Sequence, residues 1–317
     1  MENLGNYKKL RYLYEQAWNN YKCSKVNMGQ LQAAHNRERK HISCLADVEF
    51  QVFSQFGDDG IIQWLVHRIP FPNKTFIEFG VENYREANTR FLLINNYWSG
   101  MVIDGDKENI RSLQQEQLST FYDLQSECSF IKKSNINGIL NSAKFNKEVG
   151  ILSVDIDGND YWIWKAIDSI DPVVVISEYN CLFGFDKPLT ISYKDDFIRG
   201  KERPFNFYGT SLLSAYNLAK EKGYEFIGCN SAGNNAYFVK QDYLKYLALP
   251  VLTVEQGYVF AGFTEAWDNQ GIPIRGADKV RSIDKQLAVS TDSGNEELVD
   301  AEEIIRTLIL ANKLNRF

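Results

Sequence analysis

Histidine, paired thiols and positive charge are all scarce in this chain. Its 317 residues include three histidines, His35, His41 and His67. The five cysteines, Cys23, Cys44, Cys128, Cys181 and Cys229, are odd in number and scattered, with no Cys-x-x-Cys among them. That pattern argues against a disulfide framework or a zinc site and suits a reducing cytosol. Lys and Arg number 35 against 41 Asp and Glu, a formal net charge of −6. Non-specific nucleic-acid binding needs clustered basic surface, so nucleic acid is not an expected partner. The one basic run, Asn36 to His41, is short, contains Glu38 and reads as a solvated helix face. No stretch is long and apolar enough to span a bilayer, and the first residues lack a signal-peptide core. The expectation is a cytoplasmic protein without a transmembrane segment. There is no internal repeat and no Gly-x-Gly-x-x-Gly.

What is present is apolar material, 44% of residues with 14% aromatic, enough for one large α/β domain with additions or two modest domains. Thr75-Phe76-Ile77-Glu78-Phe79-Gly80 reads as a short apolar strand ending in an acid and a glycine, with a helix over Arg85 to Asn96. Such a turn brings backbone close to a nucleotide-type ligand at a helix N-terminus. With Gly80 alone where a pyrophosphate fingerprint wants three glycines, the acid suits a ligand carrying ammonium and sulfonium groups. About twenty residues on, Gly100 to Asp104 is a second such strand, and an acid there bonds ribose hydroxyls. Asp106 is a plausible N-cap for a helix to Gln117. A third strand, Gly150 to Asp155, leads into Ile156-Asp157-Gly158, and a fourth, Val173 to Ile176, into Ser177-Glu178-Tyr179-Asn180. Near-continuous Val/Ile runs indicate a parallel sheet covered on both faces, whose ligands bind outside the carboxyl ends of the strands. Glu78, Asp104, Asp155, Asp157 and Glu178 should gather on one rim, suited to a cation, organic or metallic.

The flanks are read more coarsely, as an N-terminal helical extension (1–49), a central domain (50–248) and a C-terminal extension (249–317). Tyr7, Leu10, Tyr14, Trp18 and Tyr21 fall at helical spacing, a stripe for packing on the domain or on a second subunit in a homo-oligomer. Residues 51–69 read as a helix with Ile61, Ile62, Leu65, Val66 and Ile69 on one face. Tyr224 to Cys229 and Ala236 to Val239 flank a turn-forming loop and read as an antiparallel pair. Residues 249 to about 295 lack periodicity and end in a flexible loop, Ser290 to Asn295. Their aromatics Tyr258, Phe260, Phe263 and Trp267 are expected to pack down rather than line a pocket. A last helix, Ala301 to Asn312, turns Ile304, Ile305, Leu308 and Ile309 to a core.

Together Glu78-x-Gly80, the Asp104 strand end, Val154-Asp155-Ile156-Asp157-Gly158 and Ser177-Glu178-Tyr179-Asn180 resemble class I S-adenosylmethionine-dependent methyltransferases. The closer likeness is to the FkbM-like branch and related enzymes of bacterial surface-polysaccharide clusters. Ser54-Gln55-Phe56-Gly57-Asp58-Asp59-Gly60 resembles their opening motif, and Gly209 to Leu213 with Gly223 to Val239 their closing helix and hairpin. Asp155 matches the motif Asp, whereas Asp157 stands where the family has Glu. The resemblance implies a Rossmann-like, doubly wound, seven-stranded α/β sheet, mainly parallel with an antiparallel last strand. It implies S-adenosylmethionine held by Gln55, Glu78, Gly80, Glu82, Asn83, Asp104, Gly105, Asn135 and Asp155, and transfer of methyl to a sugar, sugar nucleotide or related surface-glycan precursor.

Hydroxyl methylation benefits from a general base. His67, on the helix before the first strand, reads as structural, and the other histidines lie in the polar N-terminal region. The base is therefore sought among Asp155, Asp157 and Glu178. Asp157 has a second reading as a helix cap. A metal is not required, although Asp155, Asp157 and Glu178 are hard oxygen ligands that suit Mg²⁺ as an alternative. The rival functions are a nicotinamide-dependent oxidoreductase, weakened by the missing glycines, and a non-catalytic scaffold of the same fold.

Overall fold

The computed structural model describes residues 2–144 and 147–314. Its strands are Thr75–Phe79 (β1), Ser99–Asp104 (β2), Leu124–Cys128 (β3), Ile151–Val154 (β4), Val174–Glu178 (β5), Leu189–Thr190 (β6), Tyr224–Cys229 (β7), Asn235–Lys240 (β8), Leu287–Ser290 (β9) and Glu296–Leu298 (β10). Seven of them form one sheet in the order β3-β2-β1-β4-β5-β8-β7. The pairs from β3 through β5 are parallel, and β8 runs antiparallel to both β5 and β7. This is the doubly wound, Rossmann-like arrangement expected, and Tyr224–Cys229 pairs with Asn235–Lys240 as the hairpin chemistry predicts. A smaller sheet, β10-β9-β6, joins the carboxy-terminal segment to the middle of the chain.

The helices are Glu2–Glu38 (α1), Asp58–Arg68 (α2), Arg90–Asn96 (α3), Lys107–Gln115 (α4), Leu118–Phe121 (α5), Ile136–Asn141 (α6), Asp160–Ala166 (α7), Leu212–Glu221 (α8), Val254–Gly257 (α9), Ala277–Arg281 (α10) and Ala301–Leu310 (α11). No helix among the described residues is long and apolar enough to cross a membrane. Successive strand residues alternate between two cores. Ile77, Met101, Leu152 and Val175 pack with α6, α7, α8 and α11, whereas Phe76, Val102, Ile151 and Val174 pack with α2, α3 and α4. Both faces being covered, β1, β2, β4 and β5 read as near-continuous apolar runs, whereas the edge strand β3, Leu-Gln-Ser-Glu-Cys, is half-exposed. Of the stripe on α1, the side chains of Tyr7, Leu10, Tyr14 and Trp18 lie outside the described residues, and Tyr21 is exposed. The far end of α1 packs on the domain, with Ala33 buried and Asn36 donating to the Val48 carbonyl at 2.7 Å.

Buried carboxylates shorten two helices relative to their sequence periodicity. The helix read over 51–69 starts at Asp58, because the Asp59 carboxylate accepts the backbone N–H groups of Val52, Phe53 and Ser54, each at 2.7 Å, and curls that segment into a loop. Gly60 fits beneath it, where a Cβ would lie 2.1 Å from the Val48 carbonyl oxygen. The helix read over 85–96 starts at Arg90, because Glu78 takes the N–H groups of Asn88 and Thr89. Asp106 is the N-cap of α4 as expected, accepting from Glu108 and Asn109 N–H. Residues 290–295 are a tight hairpin turn between β9 and β10, closed by the Ser290 N–H on the Asn295 carbonyl at 2.9 Å. Tyr258 is buried and Phe260 and Phe263 pack on the core, but Trp267 is 59% exposed.

Asp59→Ala leaves three buried N–H groups without acceptors, each costing about 1–3 kcal/mol. Urea unfolding should show a loss of at least about 3 kcal/mol, and a loss below 1 kcal/mol would mean that the loop does not depend on this carboxylate.

Candidate active site

The rim is assembled by strand register. In β1 and β4, Glu78 pairs with Ser153, and in β4 and β5, Val154 pairs with Ser177. The acids that follow therefore emerge side by side at the carboxyl edge. Between them the chain comes as close as it can. Gly80 has φ +66°, and a Cβ there would lie 1.8 Å from the Asp155 carbonyl oxygen. Only glycine fits both the left-handed backbone and the contact.

A cleft of about 660 Å³ runs from this crossing past β2. Ile103, Phe130, Ile131, Phe197 and Ile198 give it apolar walls, with Asp104 and Gly105 at its edge. Asp104 accepts the N–H groups of Glu82 and Asp106, both at 2.7 Å, and the Asn109 amide at 3.2 Å. A carboxylate offers about four acceptor positions, so Asp104 retains capacity for a further donor. Beside Gly80 the cleft continues into an acidic recess lined by Gln55, Glu78, Glu178 and Glu265, with Glu82, Asp155 and Asp157 lining both parts. Asn83 and Asn135 are not among the residues lining either half. Asn83 accepts the Arg85 N–H, and Asn135 clamps the Phe130 loop through the Phe130 carbonyl and the Lys132 N–H.

The acids differ in what satisfies them. Glu78 is spent on Asn88, Thr89 and the Thr89 hydroxyl, and burial raises its pKa to about 7. Asp160 accepts from Ile156 and Gly158 N–H at 2.8 and 2.9 Å, and burial raises it to about 6. It is this residue, not Asp157, that holds the loop, and Asn159 occupies the N-cap position of α7, so the cap reading of Asp157 is corrected. Asp157 has φ +55°, an uncommon conformation for a non-glycine residue, with its carboxylate turned into the cleft. Asp155, Asp157 and Glu178 each place one oxygen within 4.8 Å of the others. Desolvation, then the charge of Asp157, drives the Asp155 pKa well up; burial, then Asp155, does the same to Glu178. Two facing carboxyls so placed hold a proton between them more readily than either alone.

Arg199 carries no motif or periodicity in the sequence. It donates to Asp157 at 2.5 Å and to Glu265 at 2.7 Å, and stacks 3.7 Å from the Tyr208 ring centre and 4.2 Å from that of Phe205. The signal that points to it is positional: the Gly- and Pro-punctuated stretch 197–208 follows a strand end, where binding residues concentrate. His67 bonds the Gln63 carbonyl and Arg37, tying α2 to α1 away from the rim, as its structural reading expects.

No protein-family model matches this chain, and no curated protein matches it. Solved structures similar to it include the N-terminal domain of EvdMO1 with SAH bound, at TM-score 0.39 and 9% identity, covering 66% of this chain and 94% of that one. Another is an S-adenosylmethionine-dependent methyltransferase from Clostridium acetobutylicum, at 0.35 and 13%, covering 58% and 90%. The CurJ carbon methyltransferase scores 0.36 at 11%, covering 57% and 52%. At these scores the likeness carries no argument about function.

The raised pKa of Glu78 fixes a sign. Its folded-state value of about 7 lies above the ordinary 4.5, so the folded protein binds the extra proton and Glu78 contributes stability at low pH that is lost as pH rises through 7. Glu78→Gln should remove up to about 3 kcal/mol of this dependence between pH 4.5 and 8. Parallel pH–stability curves for the two proteins would refute the assignment.

Proposed function

We propose that this protein is an S-adenosylmethionine-dependent O-methyltransferase of the cytoplasm whose acceptor is a sugar, sugar nucleotide or related surface-glycan precursor. The observation that carries the reading is a two-part cleft at the carboxyl edge of the sheet: apolar and aromatic beside Asp104, acidic toward Glu178. A nucleoside suits the first half, its base against Phe130 and Ile131 and its ribose hydroxyls donating to Asp104. An amino acid chain bearing sulfonium and ammonium charges suits the second, near Glu82, Asp155 and Asp157. The glycine that a Cβ would obstruct sits at the junction, as close backbone approach to a ligand requires. Gly105 borders the base end and Gln55 the acidic end. The acceptor class is supported by the family resemblance of the motifs alone. A second copy meeting along α1 belongs to the same proposal and is supported by exposed Tyr12, Leu13, Met28 and Leu31.

S-adenosylmethionine supplies an electrophilic methyl group on a sulfonium. This chain's part is to orient the acceptor and take its proton. Asp155 and Glu178 share a desolvated environment in which the carboxylate, once ionised, is a stronger base than in water. Asp155, beside the Gly80 crossing, receives the hydroxyl proton, with Glu178 sharing it. Arg199 holds Asp157 in place and closes the cleft over them.

Calorimetry should find micromolar S-adenosylhomocysteine binding, weakened by about 1.5–3 kcal/mol in Asp104→Ala, the range for a hydrogen bond to a charged group. Binding of NAD in preference to S-adenosylhomocysteine would remove the methyltransferase reading, and unchanged affinity in the variant would remove Asp104 from it.

Asp155→Asn keeps the shape and removes the proton acceptor. Turnover at saturating S-adenosylmethionine should fall by about 10²–10⁴-fold. If Asp155→Asn and Asp157→Asn both keep full turnover, neither is the base.

A further inference from the structure

We propose that Asp155, Asp157 and Glu178, with the side-chain amide oxygen of Asn235 as a neutral fourth ligand, form a site for a hard divalent cation such as Mg²⁺ or Mn²⁺. The site uses the carboxylates named above as proton acceptors, so a bound cation and a proton compete for them; the inference is argued from which oxygens this fold leaves without partners.

Most buried carboxylates here are filled by the chain itself. Glu78 and Asp160 accept backbone N–H groups of the loops that they hold through both oxygens, and Asp59 does so through Oδ2, its Oδ1 being buried without a partner but outside the recess lining. Asp58 takes the amides of Asn230 and Asn235 and the Tyr237 hydroxyl. Glu178 differs. It is 7% exposed, its Oε1 has one long contact to the Tyr208 hydroxyl at 3.3 Å, and its Oε2 is buried with no hydrogen-bond partner. Directly opposite it in the β5–β8 register is Asn235, 3% exposed, whose Nδ2 is committed to Asp58 while its Oδ1 is also buried without a donor. Both residues line the acidic recess with Asp155 and Asp157. A buried oxygen without a donor costs free energy, so two on adjacent strands, facing one recess, mark a place for a cationic group from outside the chain.

The ligand chemistry favours a metal over an organic cation. One oxygen each from Asp155, Asp157 and Glu178 lies within 4.8 Å of the other two. Oxygens around a single ion at metal–oxygen distances of about 2.0–2.4 Å lie no further apart than that. An all-oxygen, carboxylate-rich set suits Mg²⁺, Mn²⁺ or Ca²⁺ and lacks the nitrogen and sulfur that attract zinc or copper. Glu178 ends β5 and Asp155 follows β4 directly, so parallel register sets those two, while the loop after β4 brings Asp157. Arg199 occupies Oδ1 of Asp157 and leaves Oδ2 for the ion.

The test uses the full chain stripped with EDTA and titrated with Mn²⁺, read by electron paramagnetic resonance and by thermal unfolding. Wild type should take up one Mn²⁺ and melt higher with it. Glu178→Gln should bind Mn²⁺ at least about tenfold more weakly, a direct ligand mattering no less than the outer-shell groups whose loss costs 10–100-fold. Without metal that variant should melt no lower than wild type, which separates a lost ligand from a damaged fold. Glu86→Gln removes a charge from the same recess but no ligand, and should change affinity by less than about threefold. No stoichiometric Mn²⁺ uptake by wild type, or equal uptake by Glu178→Gln, overturns the site. S-adenosylhomocysteine binding measured in EDTA keeps the two proposals distinguishable: binding of the nucleoside without Mn²⁺ uptake removes only the cation site, and the reverse removes only the methyltransferase reading.

Discussion

One close backbone approach sets the rest of the site: at Gly80 a Cβ would lie 1.8 Å from the Asp155 carbonyl oxygen. Adjacent parallel strands β1 and β4 end at the same level, and the loops that leave them must cross within van der Waals contact. The positive φ of Gly80 turns the first loop toward β2, where the Glu82 N–H meets Asp104. The second loop is turned the other way by Asp160, which gathers the Ile156 and Gly158 N–H groups and leaves Asp157 facing the cleft. Around that contact the apolar walls lie toward Phe130 and the acids gather toward Glu178, with Glu82, Asp155 and Asp157 lining both parts of the cleft. A side chain at position 80 would push both loops apart.

Around that crossing, the acids divide into two kinds by hydrogen bonding and in part by burial, since Asp155 is half-buried and Asp157 exposed. Asp59, Glu78 and Asp160 are deeply buried, yet their oxygens accept backbone N–H groups, which offsets the cost of taking charge out of water. They hold loops. Asp155, Asp157 and Glu178 receive no backbone N–H among the described residues, and they crowd one another. Their donors from within the chain are the Arg199 guanidinium on Asp157 and the Tyr208 hydroxyl on Glu178.

The sheet was legible because β1, β2, β4 and β5 are covered on both faces, which writes them as near-continuous apolar runs that end in acids. The rim followed from the same runs, since parallel register puts their ends together. Helix starts were not legible over 51–57 and 85–89. Periodicity there continues the helix, and what stops it is a carboxylate from elsewhere in the chain capturing the N–H groups, Asp59 in one case and Glu78 in the other. The family-like Ser54 to Gly60 motif has its meaning in the same contact, with Ser54 and Asp59 bonded to each other and Gly60 beneath. Arg199 was invisible for a different reason. Its partners Asp157 and Glu265 lie 42 and 66 residues away in sequence, and no local pattern encodes such a meeting.

That meeting gives the carboxy-terminal segment a part in the site. Glu265 sits in a stretch without regular structure, held by Lys279, whose ammonium donates to the Ala261 and Phe263 carbonyls, and by Phe263 against Phe56. Glu265 in turn takes one side of the Arg199 guanidinium while Asp157 takes the other, and the aromatic rings of Tyr208 and Phe205 hold its plane. Arginine suits this position as lysine would not: a planar fork can serve two carboxylates and stack at once, whereas an ammonium is a point charge with no plane to hold. Three segments distant in sequence are therefore joined through one side chain directly over the acidic recess. The order of the cleft depends on Arg199 as much as on the strand ends that form its floor.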